Sequence, residues 1–199
     1  RWDPQKRLAW VRAAAPIQKN PQRRLDVSVD GRNEIWELPQ EQFTIQKVRA
    51  SVGIESQVTA RWSWASRLNA SSRRSGKLHD RNGTLLTYEA NVAHRFFSWP
   101  ERRLTMDGAA SFEFGRRFNK TTSMASLEWF PQAASDDVKA TVLFHFGRVG
   151  GAVPFDEYFT LGLDRDHELL LRGHPGTRDG RKGEGPIGTK FLLWNIDLQ

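Results

Sequence analysis

The sequence predicts an all-β fold, an antiparallel meander of about eight strands, and three observations support this prediction. Apolar and polar residues alternate with a period of two in eight separate segments, which is the pattern of strands with two chemically different faces. Helical periodicity is almost absent. Links rich in turn-forming residues separate the segments, and short links of this kind join antiparallel neighbours.

The eight predicted strands follow one another along most of the chain. In order, they cover residues 23–38, 43–55, 60–69, 85–99, 103–117, 121–130, 138–149 and 190–198. The first of these allows two interpretations, one irregular strand or a short hairpin that turns at Asp30 and Gly31. The turn-rich links are predicted at residues 69–76, 80–83 and 131–137.

The segment 103–117 shows the two faces most clearly. Its apolar face carries Leu104, Met106, Ala110, Phe112 and Phe114. Glu113 and Arg117 lie on the opposite, polar face. The sequence therefore predicts a strand whose two sides meet different environments.

Composition and charge exclude several classes of protein. The 199 residues contain no cysteine, so neither a disulfide scaffold nor a cysteine-ligated metal site can form. The net charge is +7, but the cations are scattered through links, and no helix-turn-helix, zinc-finger or RNA-binding motif accompanies them. We therefore expect no nucleic-acid partner. A basic surface equally suits anionic lipid headgroups or the phosphates of lipopolysaccharide.

The alternation by itself leaves two architectures open, a lipid-facing barrel and a soluble sandwich. Several predicted strands reach the ~9–11 residues that cross a bilayer at a tilt, whereas strands of soluble proteins average ~5–6. Aromatic residues lie near several strand ends, as in the aromatic girdles of membrane barrels. They include Trp62, Trp64, Phe96, Phe97, Trp99, Trp129 and Phe130. An aromatic-rich sandwich core would contain the same residues.

The last quarter of the chain carries a distinctive order of motifs. Residues 150–162 read GGAVPFDEYFTLG, residues 171–174 read LRGH, and a predicted strand follows Gly188. This order resembles the barrel of the BamA/TamA superfamily, also called the bacterial surface antigen family. In that family, Pro-Phe and an acidic residue follow a strand, and an Arg-Gly signature lies in a long loop that folds into the lumen. His174 stands where the family usually has Phe or Tyr.

The resemblance implies a fold, a location and a function. Residues 1–199 would form part of a transmembrane outer-membrane β-barrel with a long inward-folded loop at about 156–189, in the outer membrane of a bacterial cell. The family's barrel has roughly sixteen strands, so we expect further strands beyond those predicted here. The implied function is to assist the insertion, assembly or translocation of other proteins. The implied partners are outer-membrane lipids, lipopolysaccharide and unfolded outer-membrane or secreted client proteins.

Two other functions stay open at this point. The chain could be part of a passive outer-membrane pore or structural barrel, with the loop acting only as a constriction. It could also be a soluble β-sandwich that binds lipid or carbohydrate. No catalytic, cofactor or metal site is expected, because the histidines lack paired metal spacing and residues 183–190 lack the Gly-Lys-Ser/Thr order of a phosphate loop.

The candidate site residues belong to the loop and to the strand that follows it. The structural loop motif is Leu171, Arg172, Gly173 and His174, and the turn glycines are Gly162 and Gly188. A cation inside a barrel requires a carboxylate partner, and the planar guanidinium of Arg172 suits a bidentate pair. Asp197 is the candidate partner, because the alternation of the last strand places it on the inward face beside Asn195.

Overall fold

A computed structural model describes residues 6–76, 83–100, 103–131, 138–162, 177–178, 181–183 and 185–198. Most of these residues lie in β-strands, and no α-helix occurs among them. The predicted all-β fold class is confirmed.

Thirteen strands are described, nine of them long. In chain order they are β1 (Lys6–Ile17), β2 (Asn20–Leu38), β3 (Glu41–Gln57), β4 (Trp62–Ser75), β5 (Gly83–Trp99), β6 (Leu104–Gly115), β7 (Phe118–Trp129), β8 (Ala140–Gly151), β9 (Phe159–Thr160), β10 (Thr177–Arg178), β11 (Arg181–Lys182), β12 (Ile187–Gly188) and β13 (Lys190–Leu198). One turn of 3₁₀ helix covers Phe155–Glu157. The short strands β9 to β12 lie in the connection between β8 and β13.

The nine long strands form an antiparallel meander. Their spatial order is β1 to β8 followed by β13, and each strand pairs with its neighbour in the chain or, for β13, with β8. The strand β11 pairs in parallel with the end of β2, and β9 pairs with β12 in a separate small ladder. No described ladder joins β1 to β13, so the sheet is not closed. The predicted meander is confirmed.

The structure corrects three details of the predicted strands. The hairpin interpretation at Asp30 is wrong, because β2 is continuous there and Asp30 pairs with both Trp10 and Arg49. The link predicted at 69–76 is also wrong, since β4 runs through Ser75. The strand β1 was not predicted, so the described residues form nine long strands and not eight.

Within the described ranges, no helix has both the length and the apolar character that crossing a membrane requires.

The two faces of the sheet differ sharply in chemistry. One row of neighbouring residues across β2 to β6 consists only of aliphatic and aromatic side chains, and each member is 43–52% exposed: Val27, Val52, Leu68, Tyr88 and Phe114. We call this side the outer face and the opposite side the inner face. Within β6 the predicted split is confirmed, because Phe112 and Phe114 lie on the outer face and Glu113 lies on the inner face. The predicted strand was too long at its end, since β6 ends at Gly115 and Arg117 lies in the turn that follows, not on the polar face of the strand.

The buried apolar side chains lie on the inner face, in two clusters. One contains Phe118, Val149, Phe159, Phe191 and Leu193. The other contains Trp36, Phe43 and Ile45, with Phe155 and Ile187 packed against them. Both clusters include side chains from the connection between β8 and β13, so this connection packs against the inner face.

The inner face is concave. A cavity of about 990 Å³ is lined by inner-face residues from every long strand between β2 and β13, among them Arg24, Arg49, Glu89 and His145. A flat sheet encloses no space on one side, so the strands must curve around this cavity. Because of this curvature, strands that are not neighbours, such as β3 and β7, can contact the same side chain, Glu157.

The close packing around Gly147 on the inner face leads to a testable prediction. A Cβ atom at Gly147 would lie 2.1 Å from Cε1 of Phe191 and 2.8 Å from Cζ of Phe159. Gly147→Ala should therefore lower the free energy of unfolding by about 1–3 kcal/mol through overpacking. The measurement is urea unfolding followed by tryptophan fluorescence.

Gly31→Ala serves as the control, because a Cβ atom there meets nothing within 4 Å. We expect it to be neutral or slightly stabilising. Equal effects of the two substitutions would contradict the close packing at Gly147.

Candidate functional site

The connection that follows β8 forms a short segment on the inner face, which we call the inner strap (residues 153–162). It begins after Gly151, whose φ of +91° turns the backbone. The Ala152 amide donates to the Arg117 carbonyl at 2.6 Å, and the Leu161 amide donates to the Pro186 carbonyl at 3.0 Å. Backbone hydrogen bonds therefore hold both ends of the inner strap.

Two phenylalanines anchor the inner strap to strands near the two opposite edges of the sheet. The ring of Phe155 packs edge-on against Trp36 and Phe43, with centroid distances of 4.9 and 5.4 Å. The ring of Phe159 packs edge-on against Phe191 at 4.6 Å. Because Trp36 and Phe43 belong to β2 and β3 and Phe191 belongs to β13, the inner strap crosses most of the inner face.

Two adjacent carboxylates of the inner strap bind cations from three strands, and we call these five residues the strap cluster. Arg73 of β4 contacts both oxygens of Asp156, at 2.8 and 2.9 Å, and also pairs with Glu157. Lys47 of β3 lies 3.1 Å from Asp156 and 2.5 Å from Glu157. Lys120 of β7 lies 3.2 Å from the second oxygen of Glu157. The cluster joins strands that are four positions apart in the sheet.

The environment of Glu157 fixes its charge. Its side chain is buried, with only 5% of the residue exposed. Burial by itself raises the pKa of Glu157, but Lys47, Lys120 and Arg73 outweigh burial and hold the pKa well below its ordinary value of 4.5. Glu157 is therefore ionised at neutral pH, as the surrounding cations require.

A second group of charges, which we call the wall network, lies on the strands themselves. Its members are Arg12, Asp26, Arg49, Glu55, Arg67, Glu89 and Glu113. Asp26, only 2% exposed, pairs with Arg12 and lies 3.5 Å from Arg67. Each buried carboxylate has a cationic partner, as burial of charge requires.

The cavity lies between the wall network and the inner strap. Arg49, Arg67 and Glu89 line it from the wall, and Lys120 and Phe159 line it on the side of the inner strap. Among the described residues, no group of three or more His, Asp or Glu side chains could hold a metal ion. The arrangement offers a cavity lined by both polar and apolar side chains, in which Arg49 and Arg67 are both paired with Glu89.

The site residues predicted from the sequence do not all lie among the described residues, and those that do lie in different elements. Leu171, Arg172, Gly173 and His174 lie outside the described residues. Asp197 lies on the inner face of β13 opposite Thr141, two residues from the buried Asn195. Its pairing with Arg172 stays a prediction. Gly162 is buried at the end of the inner strap, and Gly188 pairs with Phe159 in the small ladder.

Sequence reasoning missed the strap cluster. Asp156 and Glu157 were visible only as the acidic residues that follow Pro154 and Phe155 in the motif. A signal was present, since two adjacent carboxylates after an aromatic residue need cationic partners if they are buried. Their partners Lys47 and Arg73 lie far away in sequence, and nothing in the alternation distinguishes them from other cations.

No protein-family model matches this sequence, and no curated protein matches it.

The strap cluster gives a prediction about stability and pH. Glu157→Gln should lower the free energy of unfolding at pH 7 by about 3–5 kcal/mol, because it leaves buried cations without their carboxylate. The pKa of Glu157 is lower in the folded than in the unfolded state. Its contribution is therefore complete above pH 4.5 and is lost progressively as the pH falls below that value. Urea unfolding between pH 7 and pH 3 measures both effects.

Glu128→Gln is the matched control, because Glu128 is 46% exposed and pairs with Lys139 at 2.8 Å. An exposed pair contributes under about 1 kcal/mol. The role of the strap cluster would be contradicted if both variants lost the same small amount of stability, or if Glu157→Gln kept the acid dependence of the original protein.

Proposed function

We propose that this chain is part of a transmembrane outer-membrane β-barrel of the BamA/TamA type, and that the barrel assists the insertion, assembly or translocation of other proteins. One observation carries the membrane placement. The outer face is apolar and exposed, whereas the paired charges lie on the concave inner face. Membrane barrels have this arrangement, with apolar residues toward lipid and polar residues toward the lumen.

The length of the strands supports the same placement. The nine long strands contain between 9 and 19 residues. A tilted strand needs ~9–11 residues to cross the hydrocarbon core. Each long strand is therefore long enough to cross a bilayer, and several are longer than a crossing requires.

Aromatic side chains gather at one end of the outer face, and we call them the aromatic band. The band consists of Trp62, Trp64, Phe96, Trp99 and Trp129, all exposed. They lie at the start of β4 and at the ends of β5 and β7, which the antiparallel order places at the same end of the sheet. Aromatic girdles occupy the interface between lipid and water in membrane barrels. The inner strap lies toward the opposite end.

The inner strap supports the BamA/TamA interpretation more specifically. The resemblance implies that the connection carrying Pro154, Phe155 and Asp156 folds into the lumen. Phe155 packs against Trp36, and Asp156 pairs with Arg73, on the inner face of the sheet. The implied Arg-Gly signature at Arg172 belongs to the same connection. Assistance to client proteins follows from the resemblance, and the geometry supports the lumenal loop on which that resemblance depends.

The open sheet is consistent with a larger barrel. Among the described strands, β1 and β13 do not pair with each other, and each has one edge whose backbone groups have no described strand as partner. Such edges are not tolerated in the hydrocarbon core of a bilayer. In the proposed barrel, further strands pair with both.

A passive pore or structural barrel is the second candidate, and the cavity favours it. A space of about 990 Å³ bounded by the inner strap would act as a constricted lumen. The soluble sandwich requires a second layer against the outer face. Among the described strands, the only ladder outside the main sheet is β9 with β12, whose residues belong to the connection on the inner face.

A pair of neighbouring alanines tests the membrane placement. Ala110 lies on the same face of β6 as Phe112, which is the outer face, and Ala109 lies on the same face as Glu113, which is the inner face. Ala110→Arg should cost about 2–4 kcal/mol if position 110 lies near the bilayer centre. Ala109→Arg should cost much less, because the new arginine would share the inner face with Glu113 and border the cavity. The measurement is the folding free energy of the full-length protein in phospholipid vesicles.

Spin labels at the same two positions provide an independent readout. A label at position 110 should be relaxed by a lipid-soluble quencher, and a label at position 109 by a water-soluble one. The reverse result would mean that the inner face meets lipid, and it would contradict the proposed placement.

Depletion of the full-length protein tests its function. If the barrel assists assembly, depletion should lower the folded fraction of other outer-membrane proteins, measured by their heat-modifiable mobility in gels. Re-expression of the original protein should restore that fraction and serves as the control. If assembly continues normally and only solute permeability falls, the passive pore is correct and the assembly function is not.

A further inference from the structure

Cations interrupt the outer face at the end of the sheet nearest the inner strap. Arg116 comes directly after β6, two residues after the outer-face residue Phe114. Arg148 lies in β8, and Lys190 is the first residue of β13. All three are exposed. We call them the rim cations. Each stands where a run of apolar outer-face side chains ends.

Two of the rim cations face each other directly. Arg148 and Lys190 are paired in the antiparallel ladder between β8 and β13. The Cβ atoms of such a pair lie about 5 Å apart, and like charges in this position destabilise a sheet. The next pair on the same face, Phe146 with Leu192, is apolar and exposed. The two charges thus stand side by side at the border of an apolar surface.

Among the described residues, no carboxylate pairs with a rim cation, whereas two cations at the other end of the sheet are paired. Near the aromatic band, Arg95 pairs with Asp107 and Lys139 pairs with Glu128, each at 2.8 Å. Within the described part of the chain, no carboxylate forms an ion pair with Arg148 or Lys190. An anion supplied from outside the described chain would remove the repulsion between them.

We propose that two of the rim cations, Arg148 and Lys190, bind the phosphate of an anionic membrane lipid in the leaflet nearest the inner strap. The site rests on the membrane placement proposed above and adds a specific lipid contact to it. The guanidinium of Arg148 can hold two phosphate oxygens, and the ammonium of Lys190 neutralises the remaining charge. The acyl chains of the same lipid then lie along Phe146 and Leu192.

The surroundings favour a lipid over a nucleic acid or a free anion. A nucleic-acid site needs a series of cations along the phosphate backbone. Here only two cations lie side by side, and the surface that continues from them is apolar. A free phosphate would gain nothing from Phe146 and Leu192, whereas a lipid contacts both the charged and the apolar part.

The test compares lipid association in two variants of the full-length protein. The protein is reconstituted into phosphatidylcholine vesicles that contain a trace of spin-labelled phosphatidic acid or spin-labelled phosphatidylcholine. Electron paramagnetic resonance then gives the preference of the protein surface for the anionic lipid. The site variant is Arg148→Gln with Lys190→Gln. The matched control is Arg95→Gln with Lys139→Gln, which removes two cations that already have carboxylate partners.

We expect the original protein and the control to prefer phosphatidic acid over phosphatidylcholine. In the site variant, this preference should fall about fivefold for each cation removed. An unchanged preference in the site variant would overturn the site while leaving the membrane placement intact. Displacement of the labelled lipid by added inorganic phosphate would also overturn it, because the site would then bind a free anion. Failure of the original protein to insert into any vesicle would overturn the membrane placement, and the lipid site with it.

Discussion

The buried carboxylates Asp156 and Glu157 are the constraint on which the rest of the inner face depends. A carboxylate removed from water is unstable unless cations surround it, and these two take their cations from β3, β4 and β7. The inner strap can therefore lie only where those three strands curve toward it. The curvature in turn encloses the cavity, and it leaves the opposite face of the same strands convex and exposed.

The fold could largely be predicted because the two faces differ so much in polarity. Where the outer face is strongly apolar, as in residues 43–55 and 103–117, the alternation identified both the strand and the residues on each of its two faces. The prediction failed at the end of β4, where Ser72 and Arg74 replace apolar residues on the outer face and only small or charged groups remain. It failed at β1 partly because the following turn uses Gln18 and Lys19 with positive φ, and neither residue signals a turn.

The candidate site was less predictable, for a physical reason. A strand leaves a periodic signal in its own residues, whereas an ion pair between Lys47 and Glu157 joins positions 110 apart in sequence and leaves none. The chain contains 30 Lys and Arg residues, and local pattern cannot select which of them meet an acidic pair. The motif around Pro154 indicated that the connection matters, and its inner-face position follows from the contacts of Phe155 and Asp156.

The same two faces explain where the excess positive charge lies. The wall network and the strap cluster together contain six carboxylates and six cations: Asp26, Glu55, Glu89, Glu113, Asp156 and Glu157 with Arg12, Lys47, Arg49, Arg67, Arg73 and Lys120. Low solvent access favours this neutrality, because an unpaired buried charge is costly. An apolar outer face accepts no charge in its middle. Under the proposed membrane placement, the net charge of +7 must therefore reside mainly at strand ends and in links, where lipid headgroups and water begin.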